Sequence, residues 1–194
     1  MCSPSIWAAA VHELDVRAKA AVETHRQLLE RWRSAMDLIG PGPSEPHFID
    51  ATEVVTGLGA VGDWADLGSG AGFPGIALAA LHEQAQVVLA ESRQKRATFL
   101  KRVVHTAKLD NARVHHGRTE ALEDGAWDGV ISRAYKPPLD FLEDAMRLLK
   151  PGGRVVLMLG AQANLEAPDG FEMMGSYLYN VGDGDRKRLV FRKR

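Results

Sequence analysis

The chain has 194 residues, of which 45% are hydrophobic and 25% are charged. This composition supplies the core of one compact domain and excludes a disordered or collagen-like protein. Lysine and arginine total 24, against 25 for aspartate and glutamate, so the net charge is only −1. No overall electrostatic field therefore draws the protein to nucleic acid or membrane, and any affinity for polyanions must come from local clusters.

The single cysteine, Cys2, excludes an internal disulfide and a cysteine-based metal cluster, and it predicts a reducing, cytoplasmic location. The first ten residues carry no basic leader, so no signal peptide is expected. No eighteen consecutive residues are uncharged and apolar, so no membrane span is expected either.

The N-terminal part of the chain predicts helices. Good helix formers with apolar residues at helical spacing predict one or two helices between Ser5 and Met36. The segment Gly40-Pro41-Gly42-Pro43 cannot continue a helix. A short helix is expected near His47, ending at the glycines Gly57, Gly59 and Gly62. We therefore expect a helical extension over residues 1–62, packed on a second domain over residues 63–194.

From Asp63 onward, short strands alternate with helices, which is the pattern of a mostly parallel sheet covered on both faces. The predicted strands are Trp64–Leu67, Gln86–Ala90, Ala112–His115, Trp127–Ile131 and Arg154–Leu159. The predicted helices are Pro74–His82, Arg93–Lys108 and Leu139–Leu149, with one helical turn near Glu120. The turn Gly182-Asp183-Gly184-Asp185 joins two further strands, Phe171–Tyr179 and Arg188–Arg192, into a predicted antiparallel hairpin.

A glycine-rich segment, Asp66-Leu67-Gly68-Ser69-Gly70-Ala71-Gly72-Phe73-Pro74-Gly75, directly follows the first predicted strand. Glycine lets the backbone turn sharply and approach a ligand closely, and the next helix offers unpaired N–H groups. Glu91 ends the second strand, where a carboxylate can accept both hydroxyls of a ribose. These features predict a nucleotide-like ligand at this turn, although a glycine turn can also merely connect a strand to a helix.

Two fingerprints share the glycines. The string Gly70-x-Gly72-x-x-Gly75 matches a dinucleotide-binding motif. The frame Asp66-x-Gly68-x-Gly70-x-Gly72 is similar to motif I of the S-adenosylmethionine-dependent methyltransferases. The predicted hairpin and the lack of room for a separate substrate domain favour the methyltransferase, since that class closes its sheet with an antiparallel strand. The expected fold is therefore a Rossmann-like, mostly parallel seven-stranded α/β sheet with a C-terminal hairpin.

Further strings resemble one methyltransferase family, the bacterial enzymes often called glucose-inhibited division protein B. These enzymes methylate N7 of a guanine in small-subunit ribosomal RNA. The similarity runs from about Leu28 onward, and its motifs come in family order. The strings are His47-Phe48-Ile49-Asp50, the glycine segment through Ile76, Glu91-Ser92-x-x-Lys95-Arg96-x-x-Phe99-Leu100, Leu109-Asp110-Asn111, Gly117-Arg118-Thr119-Glu120 and Asp128-Gly129-Val130-Ile131-Ser132-Arg133-Ala134.

The resemblance implies a cofactor, S-adenosyl-L-methionine, and a set of residues that bind it. Arg133 would be the catalytic residue and would face both cofactor and substrate. The implied partner is ribosomal RNA or the small ribosomal subunit, and we expect a monomer without metal. The implied cofactor-binding residues are Asp66, Gly68, Gly70, Gly72, Phe73, Glu91, Thr119, Glu120 and Arg133.

Three segments depart from the family pattern on the side expected to face the substrate. Asp37-Leu38-Ile39 stands where Asn-Leu-Thr is usual, Pro46 replaces a basic residue, and Leu159 replaces a lysine. A methyltransferase of another RNA or of a small molecule, or a non-catalytic cofactor-binding module, therefore stays an alternative.

Local charge predicts where RNA would bind. One cluster lies on a predicted helix without acidic residues, and a second lies near the C-terminus, although either can be an ordinary solvated face. The four tryptophans are expected to pack in the core or between the domains, and His47 is expected to fix its short helix rather than to catalyse. The two clusters are Arg93, Lys95, Arg96, Lys101, Arg102 and Lys108, and Arg186, Lys187, Arg188, Arg192, Lys193 and Arg194.

Overall fold

A computed structural model describes residues 14–194. The expectations for Cys2, for Trp7 and for a helix beginning at Ser5 lie outside the described residues. Residues 14–194 contain five helices: α1 (Val16–Met36), α2 (Glu45–Val55), α3 (Gly75–Leu81), α4 (Gln94–Thr106) and α5 (Pro138–Leu148), with a 3-10 turn over Thr119–Ala121. The strands are β1 (Gly62–Leu67), β2 (Ala85–Glu91), β3 (Ala112–His116), β4 (Trp127–Ser132), β5 (Leu149–Gly160), β6 (Phe171–Asn180) and β7 (Asp185–Lys193).

The seven strands form one sheet in the order β3-β2-β1-β4-β5-β7-β6. Strands β1 to β5 pair in parallel, and β7 pairs antiparallel with both β5 and β6. The predicted fold class, a mostly parallel sheet closed by an antiparallel hairpin, is confirmed. Strand β7 also reaches back to the helices, because Arg188 Nη1 donates to the carbonyls of Val54 (2.7 Å) and Thr56 (2.9 Å) at the end of α2.

The ends of the two N-terminal helices have local causes. The Asp15 carboxylate accepts from Ala18 N at 2.8 Å and caps the start of α1. Asp37 ends α1 in the left-handed region, with φ of 50°. Aspartate and asparagine tolerate this conformation better than other residues with a side chain, so Asp37 is compatible with the backbone at this position. Helix α2 begins at Glu45, before the predicted His47, because Pro46 is accommodated in the first helical turn.

Alternation along the strands produces an apolar layer on each face of the sheet. Trp64, Val87 and Leu89 pack with α1 to α4 on one face, whereas Val88 and Ala90 pack with α5 on the other. Helices α1 and α2 thus belong to the same layer as α3 and α4, and a domain boundary at residue 62 stays a prediction. Helices on both faces leave the two ends of the strands as the accessible sites on the parallel part of the sheet.

The tryptophan prediction is confirmed for two residues and wrong for a third. Trp64 and Trp127 are buried, with exposed fractions of 0% and 5%. Trp32 is 37% exposed, because its position on α1 is covered only partly by α4. In the described part of the chain, no helix combines the length and apolarity needed to cross a membrane.

Candidate functional site

A cavity of about 690 Å³ opens at the carboxyl ends of β1 to β4. This is where open α/β sheets bind ligands, and the volume lies in the range typical of small-molecule sites. Each wall comes from the segment that directly follows a strand. The lining residues are Gly68 after β1, Ala90 to Arg93 and Arg96 around the end of β2, Gly117 to Glu120 after β3, and Ala134 to Lys136 after β4.

The glycine turn forms the floor of the cavity through its backbone. Gly72 N donates to Ser69 O at 2.7 Å, and Ser69 Oγ donates to Asp66 O at 3.0 Å, so the turn is closed on itself. Gly68 has φ of +68°, and a Cβ placed there would lie 2.6 Å from Tyr135 Cδ2. Only glycine satisfies both conditions, so the wall that Tyr135 forms depends on Gly68.

Glu91 is 6% exposed at one end of the cavity, and two backbone N–H groups fix its carboxylate. Gly70 N donates to Oε2 at 2.9 Å, and Arg93 N donates to Oε1 at 2.7 Å. Each oxygen keeps a free lone-pair direction, since an ionised carboxylate has about four acceptor sites. Two neighbouring hydroxyls, such as those of a ribose, fit this pair of acceptors.

The opposite end of the cavity is built around Thr119. Its Oγ1 forms a short hydrogen bond with the Tyr135 hydroxyl, and its carbonyl accepts from Arg147 Nη2 at 3.0 Å. The Tyr135 ring in turn packs edge-on against Phe141, with ring centroids 6.5 Å apart. The segments after β3 and β4 are therefore fixed to each other across the cavity, beside the exposed Glu120.

Asp66 lies beneath the glycine turn and is fully buried. Its Oδ2 accepts from Gly75 N at 3.1 Å, whereas Oδ1 has no hydrogen-bond partner in the described part of the chain. Burial raises the pKa of this carboxyl from 3.8 to about 7, against the opposing effect of the nearby Ser69 hydroxyl and of the Gly75 hydrogen bond. The protonated and ionised forms of the carboxyl beneath the turn are therefore both populated near neutral pH.

Arg133 follows β4 and lies on the other side of the turn, over the ring of Phe73 at 4.6 Å. Its Nη1 donates to His47 Nδ1 at 3.2 Å and pairs with Asp50 Oδ2 at 3.4 Å. Asp50 also accepts from the Tyr179 hydroxyl at 2.8 Å. Burial lowers the pKa of Arg133, and Asp50 counteracts that effect. The guanidinium is therefore held directly by α2 and by the glycine turn, and β6 supports it through the bond from Tyr179 to Asp50.

The sequence of the chain is similar to the sequences of known proteins. The profile of the family described as "rRNA small subunit methyltransferase G" matches residues 18–174. A protein of that name from Xanthomonas oryzae pv. oryzae is 33% identical over 190 residues, covering 93% of this chain and 89% of the relative. Its counterpart from Pseudomonas paraeruginosa is 31% identical with the same coverage. The chain belongs to the rRNA small subunit methyltransferase G family.

The chain is thus a methyltransferase that uses S-adenosylmethionine, and motif I is the correct interpretation of the glycines. A solved structure described as the O-methyltransferase from Bacillus cereus in complex with SAH has a TM-score of 0.63 at 17% identity. The alignment covers 89% of this chain and 91% of that one, which supports the fold. The cavity fits the cofactor, because it joins a bare backbone floor to a fixed acceptor pair for the ribose.

The structure places the predicted cofactor residues of the methyltransferase in two groups. Gly68, Glu91, Thr119 and Glu120 line the cavity, and Gly70 contacts it through its bond to Glu91. Asp66, Gly72, Phe73 and Arg133 lie below or beyond the turn and do not line the same cavity. Cofactor contacts of this second group stay predictions. Within residues 14–194, no group of three or more His, Cys, Asp or Glu side chains is arranged to hold a metal ion.

His25 on α1 supports the glycine turn of the methyltransferase, and it belongs to none of the sequence motifs. It is 2% exposed, and its Nε2 donates to Ala71 O at 2.7 Å. Its ring lies 5.0 Å from the rings of both Phe48 and Phe73, and burial lowers its pKa from 6.5 to about 4. The neutral imidazole therefore fixes the carbonyl of the turn from below. The available signal was a polar residue on the otherwise apolar buried stripe of α1.

Neither the position of Arg96 in the cavity nor the pairing of Arg133 with Asp50, which Tyr179 supports, was predicted from the sequence. Arg96 lines the cavity, and its Nη2 donates to Asp37 O at 2.8 Å, which ties α4 to the end of α1. Asp50 and Tyr179 lie 129 positions apart in the chain and meet only in the folded protein.

Proposed function

We propose that this methyltransferase transfers the methyl group of S-adenosylmethionine to N7 of a guanine in small-subunit ribosomal RNA. Membership of the rRNA small subunit methyltransferase G family carries the proposal, because the family motifs coincide with the segments that build the cavity. The curated relatives are of nearly the same length, since the alignment covers 89% of the Xanthomonas protein.

The lining of the cavity supports the roles that we propose for the residues that would hold the cofactor. The Gly68–Gly70 backbone would approach the cofactor closely, Glu91 would accept the ribose hydroxyls, and Thr119 with Glu120 would border the adenine. When bound, the cofactor supplies an electrophilic methyl group on a positively charged sulfur. The protein supplies a fixed binding site, and such alignment of reactants contributes several kcal/mol to lowering a barrier.

Guanine N7 suits this site because its lone pair is free at neutral pH, so the nucleophile needs no deprotonation. The two titratable groups next to Arg133 already serve to hold it, since His47 accepts one of its hydrogen bonds and Asp50 pairs with its charge. Arg133 would therefore orient the guanine through hydrogen bonds, rather than transfer a proton.

The RNA would contact the cationic face of α4. Between Gln94 and Thr106 this helix carries no acidic residue. Within residues 14–194, the side chains of Lys95, Lys101 and Arg102 form no hydrogen bond or ion pair, so all three are available to phosphates.

The C-terminal cluster is less suited to phosphates, because its cations are engaged within the protein. Arg186 and Arg192 pair with Asp183 and Glu172, and Lys193 donates to the carbonyls of Met146 and Leu149. Of the two predicted RNA-binding clusters, we therefore retain the one on α4.

A second candidate is methylation of a different RNA. Leu159 favours it, because a half-buried apolar side chain stands at the end of β5 where a lysine is expected. An assay that identifies which RNA is methylated distinguishes these two candidates more directly than an assay of RNA binding.

The test has two steps. Calorimetry with S-adenosylmethionine measures cofactor binding, and transfer of a tritiated methyl group to undermethylated small subunits, with mass-spectrometric mapping of the modified base, measures the reaction. We expect binding and a single N7-methylguanine. Binding without transfer to any RNA would support a non-catalytic module, and transfer only to another RNA would support the second candidate.

A further inference from the structure

The half-exposed Trp32 lies in a groove that is separate from the cofactor cavity. The groove has a volume of about 310 Å³ and lies between α1 and α4. Its floor is apolar and consists of Leu28, Met36 and Phe99, and its rims carry Arg31 on α1 and Arg102 on α4. A large aromatic side chain left 37% exposed in such a groove is an unfilled contact surface.

The charges around the groove favour a polyanion. Arg31 and Arg102 are exposed, and neither forms an ion pair with any residue in the described part of the chain. The acidic residues on α1 are neutralised by neighbours on the same helix, since Glu23 pairs with Arg26 and Glu30 pairs with Arg33. Helix α4 carries no acidic residue. A groove with an apolar floor and cationic rims matches one nucleotide of RNA, which combines a flat base with a charged phosphate.

The position of the groove connects it to the cofactor cavity. Arg96 lines the cavity and bonds to Asp37 O, directly after Met36 in the groove. Arg102 lies six residues further along the same helix, so the groove is about 9 Å away along α4. An RNA strand that delivers its target base to the cavity and follows the cations of α4 would pass the groove.

We propose that the groove binds an unpaired base of the substrate RNA, which stacks on Trp32 while Arg31 and Arg102 contact the flanking phosphates. Arg31 already lies 6.0 Å from the centroid of the Trp32 ring, so it would cover one face and leave the other to the base. This inference rests on the proposed function, because it assumes an RNA substrate, and it adds a recognition site outside the cavity.

The test compares Trp32→Leu, which keeps an apolar side chain without an aromatic face, with Trp32→Tyr, which restores the face. The measured quantity is the affinity for undermethylated small ribosomal subunits. Trp32→Leu is expected to weaken binding by about fivefold to a hundredfold, the usual effect of losing one base–aromatic stack, and Trp32→Tyr is expected to recover most of it. The affinity for S-adenosylmethionine and the melting temperature are expected to stay at wild-type values. Arg102→Gln is expected to reduce the slope of log affinity against log salt by about 0.7.

Ultraviolet crosslinking of the wild-type protein to the same subunits reads the contact directly. A crosslink from Trp32 to a nucleotide supports the proposal, whereas a crosslink to a ribosomal protein overturns it. Equal affinity of Trp32→Leu and wild type overturns it as well, as does a Trp32→Tyr variant as weak as Trp32→Leu. If the wild type methylates small subunits in these experiments, such a result leaves the proposed function intact. If the wild type methylates none, the proposed function fails and this inference fails with it.

Discussion

The buried carboxyl of Asp66 makes a quantitative prediction about stability. Its pKa is 3.8 when unperturbed and about 7 in the folded protein, and burial is the main cause of the difference. Since a tenfold change in a protonation equilibrium corresponds to about 1.4 kcal/mol, ionising Asp66 in the folded state costs about 4 kcal/mol. The folded state binds this proton more tightly than the unfolded state does. The contribution to stability is therefore complete below about pH 4 and is lost as the pH rises through about 7.

The variant Asp66→Asn removes this titration and keeps the size of the side chain. Its amide oxygen can still accept from Gly75 N, which donates to Asp66 Oδ2 at 3.1 Å. We expect the free energy of unfolding of the variant, relative to wild type, to rise by about 4 kcal/mol between pH 4 and pH 8. Urea unfolding at a series of pH values measures this difference.

Taking the difference between variant and wild type cancels the titrations that the two proteins share. The control is Asp110→Asn at an exposed position, which is expected to stay within about 0.5 kcal/mol of wild type throughout. A difference between Asp66→Asn and wild type that stays constant across the range would refute the assignment of a raised pKa to Asp66. A difference that shrinks with pH would refute its sign.

Three further predictions test the site. His25→Gln removes a group whose pKa is lowered from 6.5 to about 4. Wild type is therefore expected to lose about 3 kcal/mol relative to this variant as the pH falls through that window in urea unfolding, and an unchanged difference would contradict the buried neutral imidazole. Glu91→Gln sets an amide N–H against one of the two donors and is expected to weaken S-adenosylmethionine binding at least about tenfold by calorimetry. Arg133→Ala is expected to lower kcat by at least about a hundredfold while the protein still folds, with a lower melting temperature because Asp50 loses its charge partner. Tyr179→Phe, which removes one of the groups that hold Asp50, is expected to lower kcat a few-fold. Undiminished methylation by Arg133→Ala would remove its proposed role.

The fold and the cofactor end of the cavity could be predicted because their causes are local in sequence. The glycine turn needs backbone conformations that glycine allows, and it follows a strand whose apolar residues mark it. Glu91 was located because the end of β2 in such a sheet lies beside the end of β1. Helix and strand limits differ from the predictions by one to several residues, most at β5, which begins at Leu149 and has an irregularity in its pairing with β4 before Arg154.

The contacts that support the site could not be predicted, because the residues that make them are distant from each other in the sequence. His25 and Ala71 are 46 positions apart, and nothing in either segment identifies the other as its partner. The same holds for Arg133, which its motif located. Its partner Asp50 on α2, and the Tyr179 hydroxyl on β6 that donates to Asp50, could be identified only in the folded chain. Trp32 was assigned to the core because apolar periodicity does not show how completely a neighbouring helix covers a position.

The order of the sheet has a consequence for biosynthesis. Strand β7 follows β6 in the chain but is inserted between β5 and β6. While the polypeptide emerges from the ribosome, β5 therefore keeps a row of free backbone groups at its edge until the whole hairpin has left the ribosome. Such an edge can pair with other nascent chains. A nascent chain whose β7 is still inside the ribosome would thus be an aggregation-prone intermediate, whereas the released chain would not.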